Sequence, residues 1–230
     1  MTEKKKTETT YYKVLHEDGK PKWGGRGTWS LPEGDEPGEW MPPIEGRLIP
    51  CARGYHLCRP ADLIYWLDEC VFEAEWRGDE PIEEDDKIVV REARLLRKVS
   101  NWNENTFRLF ACDCVEHAAA SVLSDEKDQD AIELIKDALK ATRNYAREDT
   151  HETRLAMRKV SLQIKGYWQY PARQADLLYA AWRLVVIENR LRSACIYAVD
   201  SMTDCLDKEE KEEEEWQSER LLEYITGKRV

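Results

Sequence analysis

Glycine and proline are distributed very unevenly along this chain. Of eleven glycines and nine prolines in 230 residues, only Gly166, Gly227 and Pro171 lie beyond Asn101. Proline breaks helix interiors and glycine weakens them. Long helices are therefore excluded from much of the front and permitted through the rear. The expected fold class is α+β: a small mixed front domain over residues 1–100, packed on an all-helical C-terminal bundle over residues 101–230. The length suffices for one large domain or two small ones, each with a real core.

Residues 1–10 are polar and read as a frayed tail. Tyr11–Leu15 (YYKVL) has the aromatic and β-branched character of a strand, and Asp18-Gly19 signals a turn. The following stretch carries Trp23, Trp29 and Trp40 among its glycines and prolines. It is too aromatic for a linker and reads as an ordered loop pinned by its tryptophans. Arg47–Trp66 (RLIPCARGYHLCRPADLIYW) is the densest run of special residues. A short strand is expected at Arg47–Pro50, a turn at Cys51–Gly54, and one or two helical turns after Pro60. Val71–Trp76 alternates, with Phe72, Ala74 and Trp76 on one side and Val71, Glu73 and Glu75 on the other, the pattern of a half-buried strand. Arg77–Asp86 reads as an acidic loop, and Lys87–Val99 opens as a β-branched strand.

In the rear, Phe107, Phe110, Cys114, Ala118 and Val122 recur at steps of three and four, the helical repeat. Asn103 or Asn105 can cap that helix. Ile132, Ile135, Leu139, Thr142 and Ala146 mark a second helix. Leu155, Val160 and Ile164 mark a third that Gly166 stops. A long fourth begins at Pro171, with a stripe of Ala175, Leu178, Trp182, Val185, Asn189, Tyr197 and Met202. The acidic run Asp207–Glu215 reads as a solvated face or hinge. Trp216, Leu222 and Ile225 mark a last short helix.

The net charge of −11 repels phosphates, so direct nucleic-acid binding is disfavoured. Seven cysteines, an odd number, and a start without an apolar segment suggest a cytoplasmic protein with free thiols. No run of about 18 apolar residues occurs, so no membrane span is expected.

Two resemblances follow from these residues. Cys51, Gly54, Tyr55, His56 and Cys58, then Leu63–Trp66 and Phe72–Gly78, together with WSLP (Trp29–Pro32) and PGEW (Pro37–Trp40), resemble a phage and prophage domain family of unknown function. RLFACDCVEHA (Arg108–Ala118) and WQSERLLEYI (Trp216–Ile225) are similar to an all-helical immunity family of bacterial polymorphic toxin systems, although the stretch between them is less alanine-rich here. The second resemblance implies a protein that works by binding and blocking another protein, as an immunity protein or inhibitor.

Several constellations compete. Trp23, Trp29, Trp40, Arg53, Tyr55 and Arg59 form the expected binding surface, because exposed aromatics and arginines make interface hot spots. His56 and Glu75, with Tyr12 and Tyr65, are loosely similar to sites that bind NAD and transfer ADP-ribose; Glu75 would stabilise an oxocarbenium ion. Against this, His56 can simply hold a turn and Glu75 face solvent. Cys51, His56 and Cys58 could ligate zinc, but C-x6-C is not the usual spacing. Arg91, Arg94, Arg97 and Lys98 can meet an anion or pair with nearby acids such as Glu83–Asp86. The faces carrying Asp125–Asp130 and Asp207–Glu215 could make the chain an acidic decoy for a nucleic-acid-binding protein. No Walker A, GxGxxG or GxSxG pattern is present.

Overall fold

The computed structural model describes residues 10–21, 25–122, 129–166, 172–186 and 210–229. The fold is α+β, with two small antiparallel sheets and a set of helices. The chain divides into two compact units, Met1–Trp102 and Asn103–Val230.

In the first unit, strands β1 (Tyr11–Leu15), β3 (Cys70–Arg77) and β6 (Glu92–Lys98) form one sheet in the order β1-β3-β6. Strands β2 (Tyr55–Leu57), β4 (Ile82–Glu84) and β5 (Lys87–Val90) form the other in the order β2-β5-β4. A backbone bridge between Tyr12 and Cys58, with hydrogen bonds of 2.9 and 2.8 Å, stitches the sheets together. The alternation expected for residues 71–76 is realised within β3 from Phe72 onward, whereas Val71, expected on the side of Glu73 and Glu75, is fully buried. Cys70, Phe72 and Ala74 enter the core with Leu15, Leu57, Ile88, Val90, Ala93 and Leu95, and Trp76 packs beside them. On β3, Glu73, Glu75 and Arg77 instead meet Arg97, Arg94 and Glu92 across the strands.

The proline-rich stretch is ordered. Trp29 is buried in the core, and residues 38–44 run beside β6. Gly38, Met41 and Ile44 donate to the carbonyls of Leu95, Ala93 and Arg91, one donor every third residue. Pro37, Pro42 and Pro43 lack an N–H, which keeps this strap from becoming a regular strand. Gly38 is required, because a Cβ there would run into the Ser30 carbonyl. The acidic loop expected at residues 77–86 contains β4, which folds back on β5 in register Glu84–Lys87. Lys87–Val99 is two strands, one in each sheet. Pro60–Asp62 forms a 3-10 turn that continues into α1 (Leu63–Trp66).

The second unit is helical: α2 (Glu104–Val122), α3 (Gln129–Arg147), α4 (His151–Gly166), α5 (Ala172–Val185) and α6 (Glu210–Ile225). Asn103 is the cap of α2, its Oδ1 accepting the N–H groups of Asn105 and Thr106. Phe107, Phe110, Cys114 and Ala118 are buried as the period predicts. On α4 the expectation fails at Leu155, which is 50% exposed, while Met157 is buried. Leu178, Trp182 and Val185 are buried on α5, but this helix ends at Val185, so it is not the single long helix expected from Pro171 to Met202. Asn189, Tyr197 and Met202 lie outside the described residues, as do most of Asp125–Asp130 and residues 207–209. The rest of the acidic run belongs to α6, so it is neither hinge nor wholly solvated. Lys211, Glu212 and Glu215 are exposed, but Glu213 is buried, with its Oε2 2.9 Å from His117 Nδ1. No helix among the described residues is long and apolar enough to cross a membrane.

Candidate functional site

Residues 46–56 form a closed loop whose backbone is fixed from within. Ile49 N–H donates to Arg53 O at 2.8 Å and Arg53 N–H returns to Ile49 O at 2.7 Å. Inside that clasp, Ala52 N–H reaches Ile49 O at 3.1 Å. Pro50 presets the first central position of this turn, and the second must take a positive φ. Cys51 fills it with φ +60°, where glycine is normally found. Its N–H donates to His56 Nε2 at 3.2 Å. Gly54 has φ +147° and lies so close to Val89 that a Cβ would clash with its side chain.

His56 is therefore an acceptor at Nε2, holding a strained residue in place. Burial, helped by the Lys13 and Lys87 ammonium groups, pushes its pKa down to about 4. On its other side Lys13 Nζ donates to the His56 carbonyl at 3.0 Å. Lys13, His56, Cys58, Trp66 and Lys87 surround a cavity of about 40 Å³. Small-molecule sites run to roughly 300–1,000 Å³, so this space suits a few waters and not a dinucleotide.

The loop turns several side chains outward. Arg47, Cys51 and Arg53 are exposed, and Ile49 is 44% exposed. Arg59, Arg77, Arg91, Arg94 and Arg97 each hold a carboxylate. Arg47 and Arg53 form no ion pair among the described residues.

The other residues singled out in the sequence are placed differently. Trp23 lies outside the described residues. Trp29 is buried and meets Tyr55 edge to face at 5.4 Å. Tyr55 also donates its hydroxyl to Pro42 O at 2.7 Å. Trp40 is half-buried, with the Arg77 and Arg94 guanidinium groups 4.2 and 4.7 Å from its ring. Arg59 is fully occupied, binding Asp62, Glu83 and the carbonyls of Glu84 and Asp85. Among the described residues of the expected surface, Arg53 faces solvent and forms no ion pair with another described residue. The basic cluster at Arg91–Arg97 pairs with acids, as one reading had it, but with Asp79, Glu75 and Glu73 instead of Glu83–Asp86.

His56 and Glu75 stand in different sheets with separate partners. Glu75 pairs with Arg94, and Tyr12 is buried with its hydroxyl pKa raised by desolvation and Glu73. Cys58 is a poor zinc ligand, because burial pushes its thiol up to about 12 and zinc binds the thiolate. Cys51 points to solvent and His56 Nε2 is already engaged.

The second unit holds a polar network that periodicity alone did not reveal. Asp113 is buried on α2 and receives Tyr224 Oη at 3.0 Å, Arg143 Nη2 at 3.0 Å and Arg229 Nε at 3.1 Å. Arg143 also chelates Glu116 through both its terminal nitrogens, at 2.9 and 2.7 Å. The group borders an open cleft of about 710 Å³ that Arg147, Asn103 and Asn105 also line.

No known protein family, characterised protein or solved structure matches this chain.

Proposed function

We propose that this is a cytoplasmic, phage- or mobile-element-associated protein that binds and blocks a protein partner, in the manner of an immunity protein or inhibitor. The single observation that carries the binding reading is the loop at residues 46–56. Its backbone is locked by hydrogen bonds while Arg47, Ile49 and Arg53 face solvent. A rigid loop loses little entropy on docking, and arginine is among the residues enriched in interface hot spots. These two cations, without an ion pair among the described residues, favour an acidic partner surface with an apolar recess. The free thiols of Cys51, Cys58, Cys70, Cys112 and Cys114 agree with a reducing compartment. The phage and immunity origin rests on the residue patterns around Cys51–Cys58, Arg108–Ala118 and Trp216–Ile225.

The ADP-ribosyl-transfer alternative has less support, because His56 and Glu75 stand in different sheets with separate partners and the cavity beside His56 is only about 40 Å³. The acidic-decoy alternative loses Glu213 from its surface to the pair with His117.

The test is affinity capture from bacterial lysate with the full chain and with the double variant Arg47→Glu, Arg53→Glu. A stoichiometric protein retained by the natural chain and lost by the variant, at equal melting temperature, is the expected result. Equal recovery by both chains, or no partner with either, overturns the reading.

A further inference from the structure

We infer that His16, Asp68 and Glu69 form a binding site for a divalent transition-metal ion. The antiparallel register brings them together. Leu15, the last residue of β1, pairs with Cys70, the first of β3. The next residue outward on one strand is His16 and on the other Glu69, so they face each other just beyond the ladder, with Asp68 one position further. His16 Nδ1 lies 3.0 Å from Glu69 Oε2, and one ligating atom from each of the three residues falls within 4.8 Å of the others.

The backbone that carries these groups is fixed. His16 N–H donates to Lys20 O and Gly19 N–H to His16 O, both at 3.0 Å. Trp102 Nε1 donates to Asp68 O at 2.9 Å. Asp68 Oδ1 accepts the Glu69 N–H at 2.8 Å, which orients the buried carboxylate as supporting hydrogen bonds orient metal ligands elsewhere. His16 and Glu69 are 35% and 38% exposed at their side chains, so an ion can enter from solvent.

The donor set selects the class of ion. One imidazole nitrogen and two carboxylates suit zinc, manganese or iron(II), whereas calcium prefers six to eight oxygens. Ligand bonds of about 2.0–2.2 Å around one ion place donors about 3–3.5 Å apart, so the 3.0 Å spacing of His16 and Glu69 already fits, and side-chain rotation supplies any closer approach needed within the 4.8 Å spread. Two adjacent carboxylates repel each other, and a dication between them removes that repulsion. Three protein ligands leave further positions for water or for a group on a partner.

The experiment is calorimetric titration of chelator-treated full chain with Zn²⁺ and, separately, Mn²⁺, alongside melting curves with each ion. Stoichiometric binding of one or both ions with a raised melting temperature is expected. The affinity should fall at least tenfold in His16→Ala and in Asp68→Asn, and stay unchanged in the double variant Cys51→Ser, Cys58→Ser. His16→Ala removes a partly exposed side chain, so it reports on the site even if Asp68→Asn fails to fold. Absence of binding at millimolar ion, or equal binding by His16→Ala, overturns the proposal. So does loss of binding in the cysteine variant alone.

Discussion

Acidification should weaken the first unit through His56, and the size of the effect follows from its surroundings. The ring is half-buried beside Lys13 and Lys87, and its Nε2 accepts the Cys51 N–H. Its pKa is depressed from 6.5 in the unfolded chain to about 4 in the folded protein. Between those values the unfolded state binds the extra proton, so stability falls as pH is lowered. The contribution is fully retained above pH 6.5 and lost progressively on descending to about 4. At 1.36 kcal/mol per pH unit the loss reaches at most about 3.4 kcal/mol, and partial solvent access reduces it to about 2 kcal/mol. The assay is urea unfolding at half-unit steps from pH 7.5 to pH 4 for the natural chain and for His56→Gln. Glutamine offers an acceptor to Cys51 but does not titrate. The natural chain should lose about 2 kcal/mol relative to His56→Gln between pH 6.5 and about 4, because only the natural chain loses this term. Parallel profiles across the whole range would refute the reasoning, as would a directly measured His56 pKa near 6.5.

Two further outcomes rest on local geometry. Cys51→Gly should stabilise the protein by about 1 kcal/mol, since glycine adopts φ +60° without the left-handed penalty. Gly54→Ala, facing Val89 at φ +147°, should destabilise it by about 2 kcal/mol or more, both read from urea midpoints. Asp113→Ala should cost about 2–4 kcal/mol in thermal unfolding, because it strands Tyr224 and leaves Arg143 and Arg229 without their shared carboxylate.

The division of the fold was legible because it depends on where glycine and proline are absent. The helices of the second unit followed because their buried positions repeat at the helical period, Phe107–Ala118 being the clearest case. Leu155 misled because one exposed leucine cannot be told from a buried one by spacing. Strand β4 was obscured by its charges: Ile82, Glu83 and Glu84 look like a loop until β5 is paired with them. The site residues were harder, because their chemistry depends on partners distant in sequence. Nothing near Arg59 in the chain announces Glu83, Glu84 and Asp85. Likewise His16 becomes a neighbour of Asp68 and Glu69 only once Leu15 is set opposite Cys70. Strand pairing was the missing information in each case.

The strap beside β6 has a bearing on how the protein behaves at high concentration. An open strand edge offers a row of free donors and acceptors on which a second chain can grow. Here residues 38–44 occupy that edge, with Gly38, Met41 and Ile44 donating to it, and the prolines at 37, 42 and 43 give the outer side no continuous row of donors. The protection is steric and therefore indifferent to salt. Screening the net charge of −11 weakens repulsion between molecules, yet it leaves this route to filament growth closed.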